Sequence, residues 1–270
     1  MPIIAKISVQ KHNKERYSIF TDSGKGEEYA FSVDEDVLIK HGLKKGMELD
    51  DLSLTEILFH DDIRKTYNQA IQYLSHRMRS EKEVRAHLQK KEIAEPVINE
   101  AIHRLYQFDF LNDREFATAY LRTQVNTSDK GPSLIRQELK EKGIAGALID
   151  ETMAEYAIDA QIEKAIKIGS KFAVKNVRDS SRILKQKLEQ LLLRKGYPFS
   201  IISIALEEVV VEKQDNAEME ALSYQGEKLR KKHSKLLGYE FRRKIKQGLY
   251  QKGFPIDLID RYLDSIEDED

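Results

Sequence analysis

Residues 139–144, LKEKGI, recur in the same frame as LLRKGY at 192–197 and LYQKGF at 249–254, and more loosely as LQKKEI at 88–93. The match extends outward from each copy. Val97-Ile98, Leu148-Ile149, Ile201-Ile202 and Leu258-Ile259 fall nine and ten residues after the leading leucine, and Val84, Ile135, Leu188 and Ile245 fall four before it. The copies are spaced by 51, 53 and 57 residues. Such a period marks tandem supersecondary units, each burying an apolar face that it cannot bury alone. Every copy reads as a helix, a turn at Lys-Gly-hydrophobic and a second helix, preceded by a third helix that fills the period. Val97, Ile98, Ala101, Ile102 and Leu105 form one helical stripe. Gly143, Gly196 and Gly253 suit the residue just past a helix end, where positive φ costs a side-chain-bearing residue about 1 kcal/mol. Glu92 in copy one either bears that cost or turns differently. Ser80 and Glu83 have capping-box spacing, and Gly131-Pro132 puts proline at a first helical position.

Upstream, Ile3 to Val9, Arg16 to Phe20 and Tyr29 to Val33 alternate with period two and are rich in β-branched and aromatic residues, which predicts an antiparallel meander. Asp34 is placed to cap a short helix, Glu35 to His41, that Gly42 ends. The expected fold is therefore mainly α: four tandem three-helix repeats in an elongated curved array behind a small β-strand-rich module. The expected divisions are 1–55 for the module, then repeats at 56–108, 109–158, 159–212 and 213–270, the last with an acidic tail.

The 270 residues carry 45 Lys+Arg against 46 Asp+Glu, so net charge names no partner. No cysteine is present, which excludes disulfides, thiolate metal sites and cysteine nucleophiles. No stretch approaches 18 apolar residues and the start is not built like a signal peptide, so the expectation is a soluble, cytoplasmic protein without membrane contact. Charge is nevertheless segregated. Residues 164–195 hold ten Lys/Arg against two acids, and residues 228–252 hold ten against one. Such stretches suit a polyanion; the bland alternative is a solvated helix face. The candidate binding residues are Lys164, Lys167, Lys171, Lys175, Arg178, Arg182 and Lys185 in the first stretch, and Lys231, Lys232, Arg242, Arg243, Lys244 and Lys246 in the second. Arg77, Arg79 and Arg85 form a smaller set, interleaved with Glu81 and Glu83, for which internal ion pairing is an equal reading. Phe172, Tyr239 and Phe241 adjoin the basic stretches, but their helical spacing favours the core over base stacking.

Enzyme motifs fail. Ser23-Gly24-Lys25-Gly26 lacks the spacing of a phosphate loop and reads as a hairpin turn. His60-Asp61-Asp62 could begin a metal site, yet no other histidine has the spacing to complete it, and the two aspartates better suit a helix start. No catalytic residue, metal or cofactor is expected.

From Tyr73 to Ile144 the chain runs YLSHRMRSEKEVRAHL, VINEAIHRL, FDFLNDREFATAYL and GPSLIRQELKEKGI. Arg77, Arg79, Ser80, Glu83, Val84 and Arg85, then Leu111, Asn112, Asp113, Phe116 and Ala117, then Lys142, Gly143 and Ile144 closely resemble the diagnostic motifs of the RecX family of bacterial regulatory proteins. The match is specific over about 70 residues, and the repeat frame extends it to residue 266. Only Glu92 departs from the glycine turn. The resemblance implies a non-enzymatic, cytoplasmic regulator, acting as a monomer in recombination, DNA repair and the SOS response. Its partners would be the RecA filament, whose groove it occupies, with single-stranded DNA and in addition double-stranded DNA. The competing reading is a helical nucleic-acid-binding module independent of RecA.

Overall fold

The structure, a computed structural model, describes residues 1–210 and 215–267. The expected division between residues 212 and 213 and the last three residues of the acidic tail lie outside these. Two compact units form, one of residues 1–116 with 142–144 and one of 117–141 with 145–270.

Strands β1 (Ile3–Val9), β2 (Arg16–Asp22) and β3 (Glu27–Asp34) make the expected antiparallel meander in the order β1-β2-β3. Asp34 ends β3 and caps α1 (Glu35–Lys40), its carboxylate accepting from the Asp36 N–H, and Gly42 follows at φ +59°. Ile4, Ile19, Phe31, Val33 and Val37 form the core beneath the sheet, closed by Leu43, Leu49 and Ile57. Ile57 belongs to α2 (Asp51–Leu74), whose cap is Asp50. The helix runs unbroken past residue 55. Ile57 packs in the strand module, while Tyr67 and Ala70 pack with Val84, Leu88 and Ile98 of the first repeat.

Asp61 and Asp62 therefore do not start a helix, contrary to the expectation. They lie in the middle of α2, and Asp61 is fully buried. Its carboxylate accepts two hydrogen bonds from Arg16, at 2.9 and 3.2 Å, and one from the Asp34 N–H at 2.8 Å, with Lys65 Nζ 2.8 Å away. A charge so completely partnered can be buried.

The repeats follow: α3 (Glu81–Gln89) and α4 (Glu95–Gln107); α5 (Asp113–Thr127), α6 (Pro132–Glu141) and α7 (Gly146–Ala154); α8 (Ile158–Lys175), α9 (Ser181–Arg194) and α10 (Phe199–Val210); α11 (Asp215–Lys232), α12 (Gly238–Gln251) and α13 (Ile256–Glu267). The repeat leucines Leu88, Leu139, Leu192 and Leu249 are completely buried, each stabilising by about 2 kcal/mol. Ser80 and Glu83 form the full capping box. No helix among the described residues is long and apolar enough to cross a membrane.

The turn glycines stand at φ +85°, +82° and +81°, and Glu92 takes the same left-handed conformation at +58°. Conformational freedom is only half of their role. A Cβ on Gly143 would lie 2.7 Å from the side chain of Lys82, one on Gly196 2.7 Å from the backbone nitrogen of Leu134, and one on Gly253 2.8 Å from Ser180 Oγ. Lys82, Leu134 and Ser180 all belong to the start of the middle helix of the preceding copy. Each turn is thus seated on that helix's first turn. Hydrogen bonds to the turn carbonyls secure the seat: the Gly131 N–H donates to the Lys195 carbonyl at 2.6 Å, the Ser133 N–H to the Gly196 carbonyl at 3.0 Å, and the Ser180 hydroxyl to the Lys252 carbonyl at 2.6 Å. Copy one has no preceding copy for its turn to meet, so an exposed Glu92 is accommodated there.

Candidate nucleic-acid interface

Lys164, Lys167, Lys171 and Lys175 recur every three or four residues on α8, so they share one face, while Ala165, Ile168 and Gly169 are buried. That face lines a cleft of about 660 Å³, completed by the end of α5 at 125–129 and by Lys195 just past α9. Lys164 Nζ donates to the Val125 carbonyl, and burial lowers its pKa. Lys195 lies 3.0 Å from Asp129 Oδ2, and that hydrogen bond holds the Asp129 carboxyl below its usual range. Lys167, Lys171 and Lys175 are exposed and make no hydrogen bond or ion pair among the described residues. Asp129 and Glu163 are the acids on the lining, against five lysines.

The corresponding joints elsewhere carry a buffering acid. Asp113 accepts from the Glu81 N–H at the start of α3 (2.8 Å), and Glu218 accepts from the Ser181 N–H (3.0 Å) and Oγ (2.6 Å) at the start of α9. Helix α6 opens on Pro132, which has no N–H to offer, so a capping carboxylate has nothing to cap. The joint beside it stays basic.

The remaining candidates are distributed. Arg178 lies 4.0 Å above the ring of Tyr224 and donates to its hydroxyl at 2.7 Å, with Lys228 4.5 Å from the same ring. Lys228 first, then Arg178, lowers the Tyr224 pKa. Tyr224 was not expected as a site residue; its i,i+4 spacing to Lys228 on α11 was the available signal. Arg182 and Lys185 project from α9 into solvent. Lys231 and Lys232 end α11, and Lys231 joins Arg230 and Arg242 around a cavity of about 650 Å³ with Leu236, Leu237 and Phe241. Arg242 pairs with Asp264 and Lys246 with Asp260, both at 2.6 Å, so the acidic helix α13 offsets part of this stretch. Arg243 and Lys244 stay exposed. Phe172 and Phe241 pack against cores as expected, but Tyr239 is 80% exposed, since it lies off the Phe241, Ile245 and Leu249 stripe that α12 turns to its core.

Arg77, Arg79 and Arg85 are spent within their own repeat. Arg77 pairs with Glu83 at 3.1 Å, and Arg79 stacks 3.7 Å over Tyr73 and donates to its carbonyl. Arg85 bonds Glu81 at 2.6 Å and reaches Glu95 and Asn99. Glu83 also receives Lys142 at 3.1 Å, and these cations outweigh burial to lower its pKa. None of the three lines the lysine cleft.

Four family models match the chain: "Regulatory protein RecX N-terminal domain" over residues 2–50, "RecX, first three-helix domain" over 67–105, "RecX, second three-helix domain" over 112–153, and "RecX, third three-helix domain" twice, over 159–206 and 216–263. Among curated relatives, "Regulatory protein RecX" of Bacillus velezensis is 48% identical over 99% of this chain and all of its own, and that of Bacillus licheniformis 49% identical over 98% and 99%. Two crystal structures are similar. One, of a regulatory protein RecX, is 33% identical with a TM-score of 0.69, covering 77% of this chain and all of its own. The other, RecX from Lactobacillus salivarius, is 38% identical with a TM-score of 0.54, covering 56% and 99%.

Proposed function

The chain belongs to the RecX family of regulatory proteins, and on that premise we propose that it regulates recombination and DNA repair by occupying the groove of the RecA filament on single-stranded DNA. In this reading it inhibits RecA's ATP hydrolysis, strand exchange and coprotease activity, acting as a cytoplasmic monomer with no catalysis of its own. The observation that carries the DNA-facing part is the α8 cleft, where Lys167, Lys171 and Lys175 are unpaired on one face. A lysine already held by a carboxylate gains little from a phosphate. An unpaired one displaces counterions from the nucleic acid and gains their release.

The test is the triple variant Lys167→Glu, Lys171→Glu, Lys175→Glu. All three side chains are exposed, so circular dichroism should show the helix content of the native chain. Affinity for single-stranded DNA and for RecA filaments should drop, and the slope of log affinity against log salt should shrink by about 2, the share of three single-strand phosphate contacts. A folded variant that binds both as tightly as the native protein, with the same slope, makes the cleft a solvated face. Sequence-selective binding to naked duplex with no effect on RecA would instead favour a RecA-independent nucleic-acid module.

A further inference from the structure

The end of α1 meets one face of α2 through three side chains that the RecA-directed reading does not use. His41 caps the end of α1, and Glu56 and His60 stand at i and i+4 on α2, so both leave the same side of that helix. His41 Nε2 lies 2.7 Å from His60 Nδ1, and one ligand atom from each of His41, Glu56 and His60 lies within 4.8 Å of the others. Sequence spacing could not show this neighbourhood, because His41 comes from the end of a separate helix and Glu56 from one turn upstream of His60.

Two imidazole nitrogens at that distance share one hydrogen. Lys40 Nζ sits 2.9 Å from His60 Nε2. An ammonium only donates, so His60 Nε2 accepts, and His60 Nδ1 carries the proton that it donates to His41 Nε2. Beside this shared proton stands the Glu56 carboxylate. Two imidazoles and a carboxylate, with an i,i+4 pair on one helix and a third donor from a neighbouring element, form a donor set suited to a borderline divalent cation.

We propose that His41, Glu56 and His60 form a three-ligand site for a divalent cation of the Zn(II) class, which fastens the end of α1 to α2. The cation takes the place of the shared proton. His60 then offers the Nδ1 lone pair and moves its proton to Nε2, and Lys40 withdraws from that nitrogen. Two nitrogens each about 2.1 Å from a tetrahedral metal stand about 3.4 Å apart, so the rings need part by only about 0.7 Å. Glu56 is exposed and both histidines are partly so, which gives a cation a path in and leaves a fourth position to water. Lys40 opposes binding by charge and by its hold on His60, but its side chain is exposed and can swing away. Lys40 therefore tunes the affinity.

The experiment titrates the full chain with Co(II), followed by visible absorption, and with Zn(II), followed by calorimetry, using Mg(II) as the control. One equivalent of Co(II) and of Zn(II) should bind and Mg(II) should not. His41→Ala and His60→Ala should each weaken binding by at least about tenfold, the loss that removal of even an outer-sphere partner produces. Circular dichroism verifies that each variant is folded. Lys40→Met should tighten binding, a gain that misfolding cannot imitate. Failure of the native chain to bind Co(II) and Zn(II), binding undiminished in both histidine variants, or an affinity unchanged in Lys40→Met would each overturn the site.

Discussion

Asp61 keeps an ionised carboxylate in the middle of a helix with no solvent exposure. Burial acts to raise its pKa, but the hydrogen bonds from Arg16, Lys65 and the Asp34 N–H outweigh burial and hold it below the ordinary value. Asp61→Asn should therefore cost about 3 kcal/mol in urea denaturation at pH 7, because Arg16 is left without its counter-charge. The pH dependence has a definite sign. A depressed carboxylate contributes stability that is fully present above its unfolded pKa of about 4 and is lost as pH falls through the lower folded value. The gap between native protein and variant should narrow in acid, and a gap that widens would refute the pairing. Nothing local revealed this residue. Its principal partner, Arg16, lies 45 positions away on a strand, so His60-Asp61-Asp62 read as a helix start. Glu92 was the opposite case: the repeat frame alone placed it at the turn position and left open only whether it bears the left-handed cost or turns differently, and at φ +58° it bears the cost.

At the scale of elements, the Lys-Gly turn is both a helix stop and a bearing surface. Gly196→Ala combines left-handed strain of about 1 kcal/mol with overlap against the Leu134 backbone, for which overpacking costs about 1–3 kcal/mol. A loss of about 2–4 kcal/mol is expected in chemical denaturation. Glu92→Gly removes only a strained side chain at a turn with nothing to seat on, and should be neutral or stabilising by up to about 1 kcal/mol. Equal effects from the two substitutions would contradict the seating. The turns, the capping box at Ser80 and the buried stripe from Val97 to Leu105 were legible because each is written within one helical turn or two. What the turns rest on was not, since Gly196 and Leu134 are 62 residues apart. Nor could periodicity show that α2 serves two cores, because a helix crossing from one to the other keeps its period.

For the whole molecule, the linear charge count overstates what is available to a partner. Both basic stretches were visible in the sequence, but α13 takes Arg242 and Lys246 into ion pairs, and Glu81 and Glu83 take Arg85 and Arg77. The lysines of α8 escape this fate. Their cleft needed Lys195 and the end of α5, which come together only in the fold. Under the proposed function, reversing the unpaired α8 cations should cost the protein potency against RecA filaments on DNA. RecA-dependent ATP hydrolysis on single-stranded DNA, with this protein added at substoichiometric and then equal ratios, tests that most directly. Hydrolysis should fall with the native protein and fall markedly less with Lys167→Glu, Lys171→Glu, Lys175→Glu at the same concentration. An unchanged rate at the equal ratio would contradict the account.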